Sequence, residues 1–187
     1  MLAEFHRGLY WDAFALQHEP LAAWRRALAG EAPYSLTVRL AREGRALVGG
    51  ICFERYPRSG CGLVTYMVVA PSHRRQGLGF RLQHEAVQTL GGTVFGEVAR
   101  ALIHRNLRWG ARIVDVPYVQ PALGPGLERD RGLTLIALEP TTDTLPGELV
   151  RTFVEELYAA TEGGSPDPAI RIGATVALIL AQPPDAG

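Results

Sequence analysis

The strongest constraint on the fold is the segment from residue 63 to residue 90, where the hydrophobic pattern changes abruptly. Leu63–Val69 is a nearly continuous apolar run, which is typical of a strand in the middle of a sheet. After Pro71 the apolar residues recur at helical spacing, at Leu78, Leu82, Ala86 and Leu90. The segment therefore predicts a buried strand, a loop and an amphipathic helix that ends at Gly91-Gly92.

The loop between this strand and this helix has the composition of an anion-binding site. It reads Arg74-Arg75-Gln76-Gly77-Leu78-Gly79-Phe80. The first turn of a helix has unpaired N–H groups and a positive dipole end, and glycines allow a phosphate to approach the backbone. Arg74 and Arg75 can add bidentate contacts. The alternative is that the glycines only allow the strand and the helix to pack tightly.

Two common phosphate-binding motifs do not match this loop. A Walker A loop ends in Gly-Lys followed by Ser or Thr, and a dinucleotide fingerprint has a third glycine with an acidic residue about 20 positions further on. Neither feature is present in the right place.

The remaining patterns predict several more helices and strands. Phe5, Leu9 and Ala13 recur at four-residue spacing, and Pro20 opens a second helix. Further strands are expected at Leu36–Leu40, Ala46–Tyr56, Thr93–Val98, Arg112–Val119 and Leu133–Leu138, and further helices before Trp109-Gly110 and at Gly147–Thr161. Beyond Asp167 both helix and strand remain open. This order of elements predicts an α/β or α+β fold.

The overall composition limits the function classes. The chain has 187 residues, of which 47% are hydrophobic, with 19 basic and 19 acidic residues. This balance gives no net charge to attract nucleic acid or an anionic membrane. The longest apolar run, Ala174–Ala181, is much shorter than the roughly 20 residues that span a bilayer, and the N-terminus lacks the apolar core of a secretory signal. We therefore expect a cytoplasmic protein with no nucleic-acid or membrane partner.

The cysteines and histidines predict neither a disulfide nor a metal site. Cys52 and Cys61 lie in or beside adjacent predicted strands and could be close in space. Two buried thiols in a reducing compartment are the preferred interpretation. No spacing of potential ligands indicates a metal.

The loop and its surroundings resemble a known family. Arg74-x-x-Gly77-x-Gly79 is similar to the acyl-CoA signature of the GNAT acetyltransferase superfamily. The preceding Met67–Pro71 resembles that family's strand-and-proline entry, and Leu47–Gly50 and Trp109–Ala111 fall where the family has a strand and a helix end. The resemblance covers about Tyr34 to Leu138. It implies an N-acetyltransferase that uses acetyl-CoA as co-substrate, an amine as acceptor and no metal.

The resemblance also implies an architecture. It predicts a mixed, mostly antiparallel central sheet flanked by helices, with strands Leu63–Val69 and Thr93–Val98 splayed apart to admit pantetheine. Pantetheine would bond to the backbone of Val68 and Val69, and the pyrophosphate would lie on Arg74, Arg75, Gln76, Gly77, Leu78, Gly79 and Phe80. Residues 1–140 would form the acyltransferase domain. Residues 141–187 would be an extension that packs on the domain or on a partner subunit, which leaves a homodimer open.

The family pattern is broken in two places. Many members have a tyrosine, the acid for the leaving thiolate, at the position of Asn106, and the usual leading strand is not visible. A non-catalytic acyl-CoA-binding module is therefore the alternative function, and an unrelated phosphate-binding domain is a third.

Three residues are candidates for the missing proton chemistry. Glu97 ends the strand Thr93–Val98, where an acid would face the reacting amine, although an ordinary ion pair is the alternative. Glu54 is its rival as base. Tyr118 could supply the acid, or be a core tyrosine with its hydroxyl at the edge.

The first helices supply the candidates for acceptor binding. Tyr10, Trp11 and Phe14 would line an acceptor pocket if these helices cover the cleft. Simple packing is the alternative for all three.

Overall fold

The structure of the protein, a computed structural model, describes residues 1–14, 19–124 and 126–180. The chain divides into two units. The first unit comprises Met1–Arg55 and Gly62–Gly91, and the second comprises Tyr56–Cys61 and Gly92–Gly187.

The first unit is a three-stranded antiparallel sheet with helices. Its helices are α1 (Leu2–Phe5), α2 (Trp11–Phe14), α3 (Leu21–Leu28) and α4 (Leu78–Leu90), with a π-helical turn at His6–Tyr10 and a 3-10 turn at Pro71–His73. Its strands are β1 (Ser35–Glu43), β2 (Ala46–Arg55) and β3 (Gly62–Val69), in the order β1-β2-β3. Cys52 of β2 pairs with Val38 on one side and Tyr66 on the other.

Two neighbouring glycines of β2 show how helices cover both faces of this sheet. Successive residues of a strand point to opposite faces. A Cβ on Gly50 would lie 2.6 Å from Phe5 Cε2, whereas a Cβ on Gly49 would lie 3.5 Å from Leu78 Cδ2 and from Leu82 Cδ1. The N-terminal helices therefore pack on one face and α4 packs on the other.

The face under the N-terminal helices holds an aromatic core. Its buried members are Phe5, Tyr10, Trp24, Cys52, Tyr66 and Val68. The Tyr10 and Trp24 ring centroids are 4.5 Å apart, and the Tyr10 and Tyr66 rings meet edge to face at 4.9 Å. Cys52 and Cys61 are both buried, as expected, and no disulfide joins them.

The second unit contains five antiparallel strands and two α-helices. They are β4 (Val94–Ala99), α5 (Ile103–Arg108), β5 (Arg112–Val114), β6 (Leu133–Ala137), β7 (Thr144–Pro146), α6 (Gly147–Glu162) and β8 (Thr175–Ile179). The strand order is β4-β6-β5-β8-β7. Helix α6 buries Val150, Phe153, Val154, Leu157 and Tyr158, and the Phe153 ring stacks on Phe95 of β4 at 4.5 Å.

The predicted fold class, a mixed α/β arrangement of mostly antiparallel strands with flanking helices, is confirmed. The strand expected at Arg112–Val119 is wrong beyond Val114, where β5 ends. Pro117 has no N–H to donate to a ladder, and the only pairing described in the following segment is the bridge between Gln120 and Asp130. Strand β7 was not expected, and the open segment after Asp167 contains strand β8.

The C-terminal segment contributes strands to the sheet of the second unit. Strand β8 pairs with β5, with Ile179 opposite Ile113, and with β7. The expected domain boundary at residue 140 stays a prediction. None of the helices that the structure describes has the length and apolar character needed to cross a bilayer.

The start of α6 yields a test of this packing. A Cβ on Gly147 would lie 1.8 Å from the carbonyl oxygen of Gly173, and neither backbone segment can move easily because Gly147 N donates to Ala174 O at 2.8 Å. We expect Gly147→Ala to lower the free energy of unfolding by about 3 kcal/mol or more. Urea denaturation measures the change.

Gly173→Ala is the matched control on the other side of the same contact. Its Cβ would meet only Thr175 O at 3.5 Å, an ordinary contact, so its unfolding free energy should stay within about 0.5 kcal/mol of wild type. Equal stability of the two variants would contradict this account of α6.

Candidate functional site

The loop before α4 has the backbone geometry of an anion site. Arg75 and Gly77 have positive φ angles, +62° and +77°. The first hydrogen bond of the helix runs from Arg81 N to Gly77 O at 3.0 Å. The N–H groups of Leu78 and Gly79 therefore precede the helical ladder. Such a turn at a helix start favours an anion.

Gly77 is needed for its backbone conformation and not for packing. A Cβ at this position would have no atom within 4 Å. The interpretation that this glycine only allows strand and helix to pack closely is therefore not supported. What remains is the left-handed φ, which glycine adopts without strain, and the open approach to the backbone.

Other side chains of the loop hold it in shape. Arg74 Nε donates to Val69 O at 3.1 Å, and Gln76 Nε2 donates to Ser72 O at 3.0 Å. His73 Nε2 lies 3.1 Å from Glu43 Oε2. The loop is thus preorganised by its own hydrogen bonds, which reduces the entropy that a ligand must overcome.

Two arginines, one in the loop and one directly after it, can supply positive charge. Arg75 and Arg81 are exposed and have no ion-pair partner in the described part of the chain. The helix-start amides of the loop and these guanidinium groups have the chemistry that suits a pyrophosphate, such as that of coenzyme A.

The end of β3 distinguishes the two valines expected to contact pantetheine. The Val68 carbonyl lies against β2, 3.0 Å from where a Cβ on Gly49 would be. Successive residues of a strand direct their backbone groups to opposite sides, and Val69 O indeed accepts from Arg74. Val69 therefore presents its backbone away from β2, which favours it over Val68 as a hydrogen-bonding partner.

In the second unit, Glu97 and Tyr118 come together, joined by Gln120. Tyr118 Oη donates to Glu97 Oε1, and Gln120 Nε2 donates to Glu97 Oε2 at 3.0 Å. Part of Glu97 reaches the surface, but its carboxyl group is buried. Desolvation raises the pKa of Glu97 above its ordinary value of 4.5, and the hydrogen bonds from Tyr118 and Gln120 oppose this effect.

Tyr118 is protonated in the resting protein and acts as a hydrogen-bond donor. Burial raises the pKa of its hydroxyl well above the ordinary value, and the charge of Glu97 raises it further. The sequence did not single out Gln120, because this residue carries no charge and lies just beyond the expected strand Arg112–Val119. The sequence did contain one indication: Gln120 lies two residues after Tyr118, and such residues lie on the same side of an extended chain.

Two other candidates have different surroundings. Glu54 belongs to the first unit, where it is buried on β2 and its charge contributes to raising the pKa of Tyr34 and of Cys52, in both cases after burial itself. Asn106 is buried in α5, and its Nδ2 donates to Leu102 O at 2.9 Å. The Asn106 side chain is thus bonded to the residue that immediately precedes its helix.

The three aromatic residues expected near an acceptor differ in exposure. Tyr10 is fully buried in the aromatic core, and its hydroxyl accepts from Glu19 N at 2.7 Å, so packing explains it. Phe14 packs against the same core, and Trp11 is 43% exposed. Within the described residues, no group of three or more His, Cys, Asp or Glu side chains could hold a metal ion.

Comparison with solved structures places the fold in one class. A protein from Bacteroides thetaiotaomicron assigned to the GNAT acetyltransferases superposes with a TM-score of 0.62 at 17% identity, over 75% of this chain and 81% of that one. Ribosomal-protein-alanine N-acetyltransferase from Brucella melitensis gives 0.52 at 17%, over 73% and 94%. Tetrahymena GCN5 gives 0.50 at 14%, over 73% and 84%. The fold is therefore that of GNAT acetyltransferases.

The family is established from the sequence itself. The model of the acetyltransferase (GNAT) family matches residues 3–105, more than half of the chain. No curated protein matches the chain significantly. The protein belongs to the acetyltransferase (GNAT) family, and family and fold together support acyl transfer from acetyl-CoA.

The open surroundings of Gly77 allow a direct test of the loop. We expect Gly77→Glu to weaken coenzyme A binding by about a hundredfold or more, because a carboxylate would stand where a phosphate contacts the backbone. Isothermal titration calorimetry with coenzyme A measures the loss.

Gly30→Glu is the matched control. Gly30 has a φ of +79° and also has no atom within 4 Å of a Cβ, so it carries the same backbone strain and the same new charge away from the loop. Unchanged affinity in a folded Gly77→Glu protein would show that the loop does not bind the phosphates.

Proposed function

We propose that the protein is an N-acetyltransferase that transfers the acetyl group of acetyl-CoA to a primary amine, with Glu97 as general base. Family membership supports acyl transfer in general. The observation that carries the finer proposal is the Glu97 carboxylate, a buried acid with a raised pKa and hydrogen bonds to both of its oxygens.

A base is needed because aliphatic amines are mostly protonated at neutral pH, and an ammonium group has no lone pair to attack a carbonyl. Acetyl-CoA, when bound, supplies the thioester that the amine attacks, with release of the CoA thiol. Glu97 takes the proton from the amine, directly or through one water molecule. Each of its oxygens accepts one hydrogen bond and keeps further acceptor capacity for that proton.

Tyr118 has two roles in this proposal. Its hydrogen bond holds the Glu97 carboxyl in one orientation. Its hydroxyl is the proposed donor of a proton to the departing CoA thiolate, and it regains a proton from Glu97, which took one from the amine. The loop from Arg74 to Phe80, with Val69, is proposed to bind the pyrophosphate and pantetheine of the co-substrate. Its preorganised amides are the support for this assignment.

Asn106 favours one alternative, a non-catalytic acyl-CoA-binding module. It occupies the position of the family's tyrosine, and its side chain bonds to Leu102, the residue before its helix. Release of thiol from acetyl-CoA in a screen of primary amines and amino acids separates the two functions. Amine-dependent release above background supports the enzyme. Tight coenzyme A binding with no release for any amine supports the module.

Glu97→Gln tests the assignment of the base. We expect turnover with an amine identified in the screen to fall by about a hundred- to ten-thousandfold, with coenzyme A affinity near that of wild type. The pH profile provides a second readout. Glu97 acts when it is ionised, so wild-type activity should fall as the pH drops through its raised pKa, and this acidic limb should disappear in the variant.

Glu128→Gln, an exposed acid of the same unit, is the matched control and should keep wild-type turnover. If Glu97→Gln also keeps it, Glu97 is not the base and Glu54 becomes the next residue to replace.

A further inference from the structure

Both oxygens of the Glu97 carboxylate are held by residues of one short segment. Tyr118 donates to Oε1 and Gln120 donates to Oε2. The two donors are separated by Val119, and alternate side chains of an extended segment lie on the same side. Each hydrogen bond favours the ionised form of Glu97 against the effect of burial.

The segment is not part of a ladder, so its position needs other support. Gln120 is attached on one side by a two-bond bridge to Asp130, with Gln120 N to Asp130 O at 2.8 Å and Asp130 N to Gln120 O at 3.1 Å. Beyond this bridge, the described residues up to Arg129 are 121–124 and 126–129.

Helix α6 holds the centre of the segment. Tyr158 Oη donates to Val119 O at 2.7 Å, a bond that is buried at both ends. Val119 lies between the two residues that hold Glu97. This bond therefore restrains the positions of both Tyr118 and Gln120 relative to α6.

The same helix also binds two residues of the chain beyond the bridge, Ala122 and Arg129. Glu162 Oε2 accepts from Ala122 N at 3.0 Å and from Arg129 Nε at 3.3 Å. The Arg129 guanidinium also lies over the Tyr158 ring, 4.8 Å from its centroid. The hydrogen bond from Arg129 lowers the pKa of Glu162 below its ordinary value. The Glu162 carboxylate therefore stays ionised over the pH range in which Glu97 titrates.

We propose that Gln120 is a positioning residue that, with Tyr118, fixes the two oxygens of the Glu97 carboxylate, and that α6 keeps this pair in place through Tyr158. The inference rests on the proposed function only where it predicts an effect on catalysis. The predicted effect on the pKa of Glu97 does not depend on that function. The groups that face Glu97 are Tyr118 and Gln120 from the segment, with the charge of Asp130 also acting on it.

The consequence is a defined effect on proton affinity. Gln120→Met removes the donor with little change in volume, so the pKa of Glu97 should rise by about one unit. Gln120→Glu replaces the donor by a like charge and should raise the pKa further. Tyr158→Phe removes only the hydroxyl under Val119 and should shift the pKa in the same direction. If Gln120 and Tyr158 only supported the fold, the variants would not raise the pKa of Glu97 in this order.

The experiment measures the titration of Glu97 directly. NMR spectra of protein labelled with ¹³C at the glutamate carboxyl groups are recorded across pH, and the Glu97 signal is identified by its loss in Glu97→Gln. In parallel, the pH–rate profile of Gln120→Met should show activity that is about fivefold low near the wild-type midpoint and recovers as the pH is raised. Tyr56→Phe is the control, a buried tyrosine whose ring meets Phe153 of α6 at 5.5 Å; it should leave the midpoint unchanged.

A Glu97 midpoint that is the same in wild type and in folded Gln120→Met overturns the proposal. If Gln120→Met does not fold, Tyr158→Phe decides in its place, and an unchanged midpoint there overturns the role of α6. These results are separate from the proposed function. Wild-type turnover in Glu97→Gln would remove Glu97 as base while the NMR midpoints still report on Gln120.

Discussion

The close approach of α4 to β2 and β3 is the constraint on which the loop before α4 depends. Gly49 and Gly62 make it possible, since a Cβ on Gly62 would lie 2.5 Å from Leu90 Cδ1 and one on Gly49 would be in contact with Leu78 and Leu82. These contacts hold the first and the last turn of the helix against the sheet. Since the helix-start amides belong to the first turn, their direction is set by core packing and not by the loop itself.

The Glu97 cluster depends on a different kind of support. A carboxylate that is taken out of water is stable only when hydrogen bonds replace its hydration. Here the donors come from a segment without regular secondary structure, and that segment is in turn bonded to α6 through Tyr158 and Glu162. Residues far along the chain thus determine the environment of one acid on β4.

The two arrangements differ in how they handle charge. At the loop, exposed guanidinium groups and helix-start amides favour an anion that arrives from solvent, and salt will screen part of that attraction. At Glu97, the charge is inside the protein, where the balance of burial and hydrogen bonding sets the proton affinity. A phosphate-binding loop needs constant charge, whereas a base needs a charge that changes near the working pH.

The amino-acid sequence alone determined the strand, loop and helix around Gly77, and the family, because this motif is contiguous and its hydrophobic period, proline and glycines act locally. It also indicated Glu97 as a strand-end acid. Only the tertiary structure decided that Gln120 shares this carboxylate with Tyr118 and that Tyr158 lies beneath them. These contacts join residues 97, 118–120 and 158 through hydrogen bonds of an irregular segment. No periodicity encodes such contacts, since they arise only when distant parts of the chain pack together.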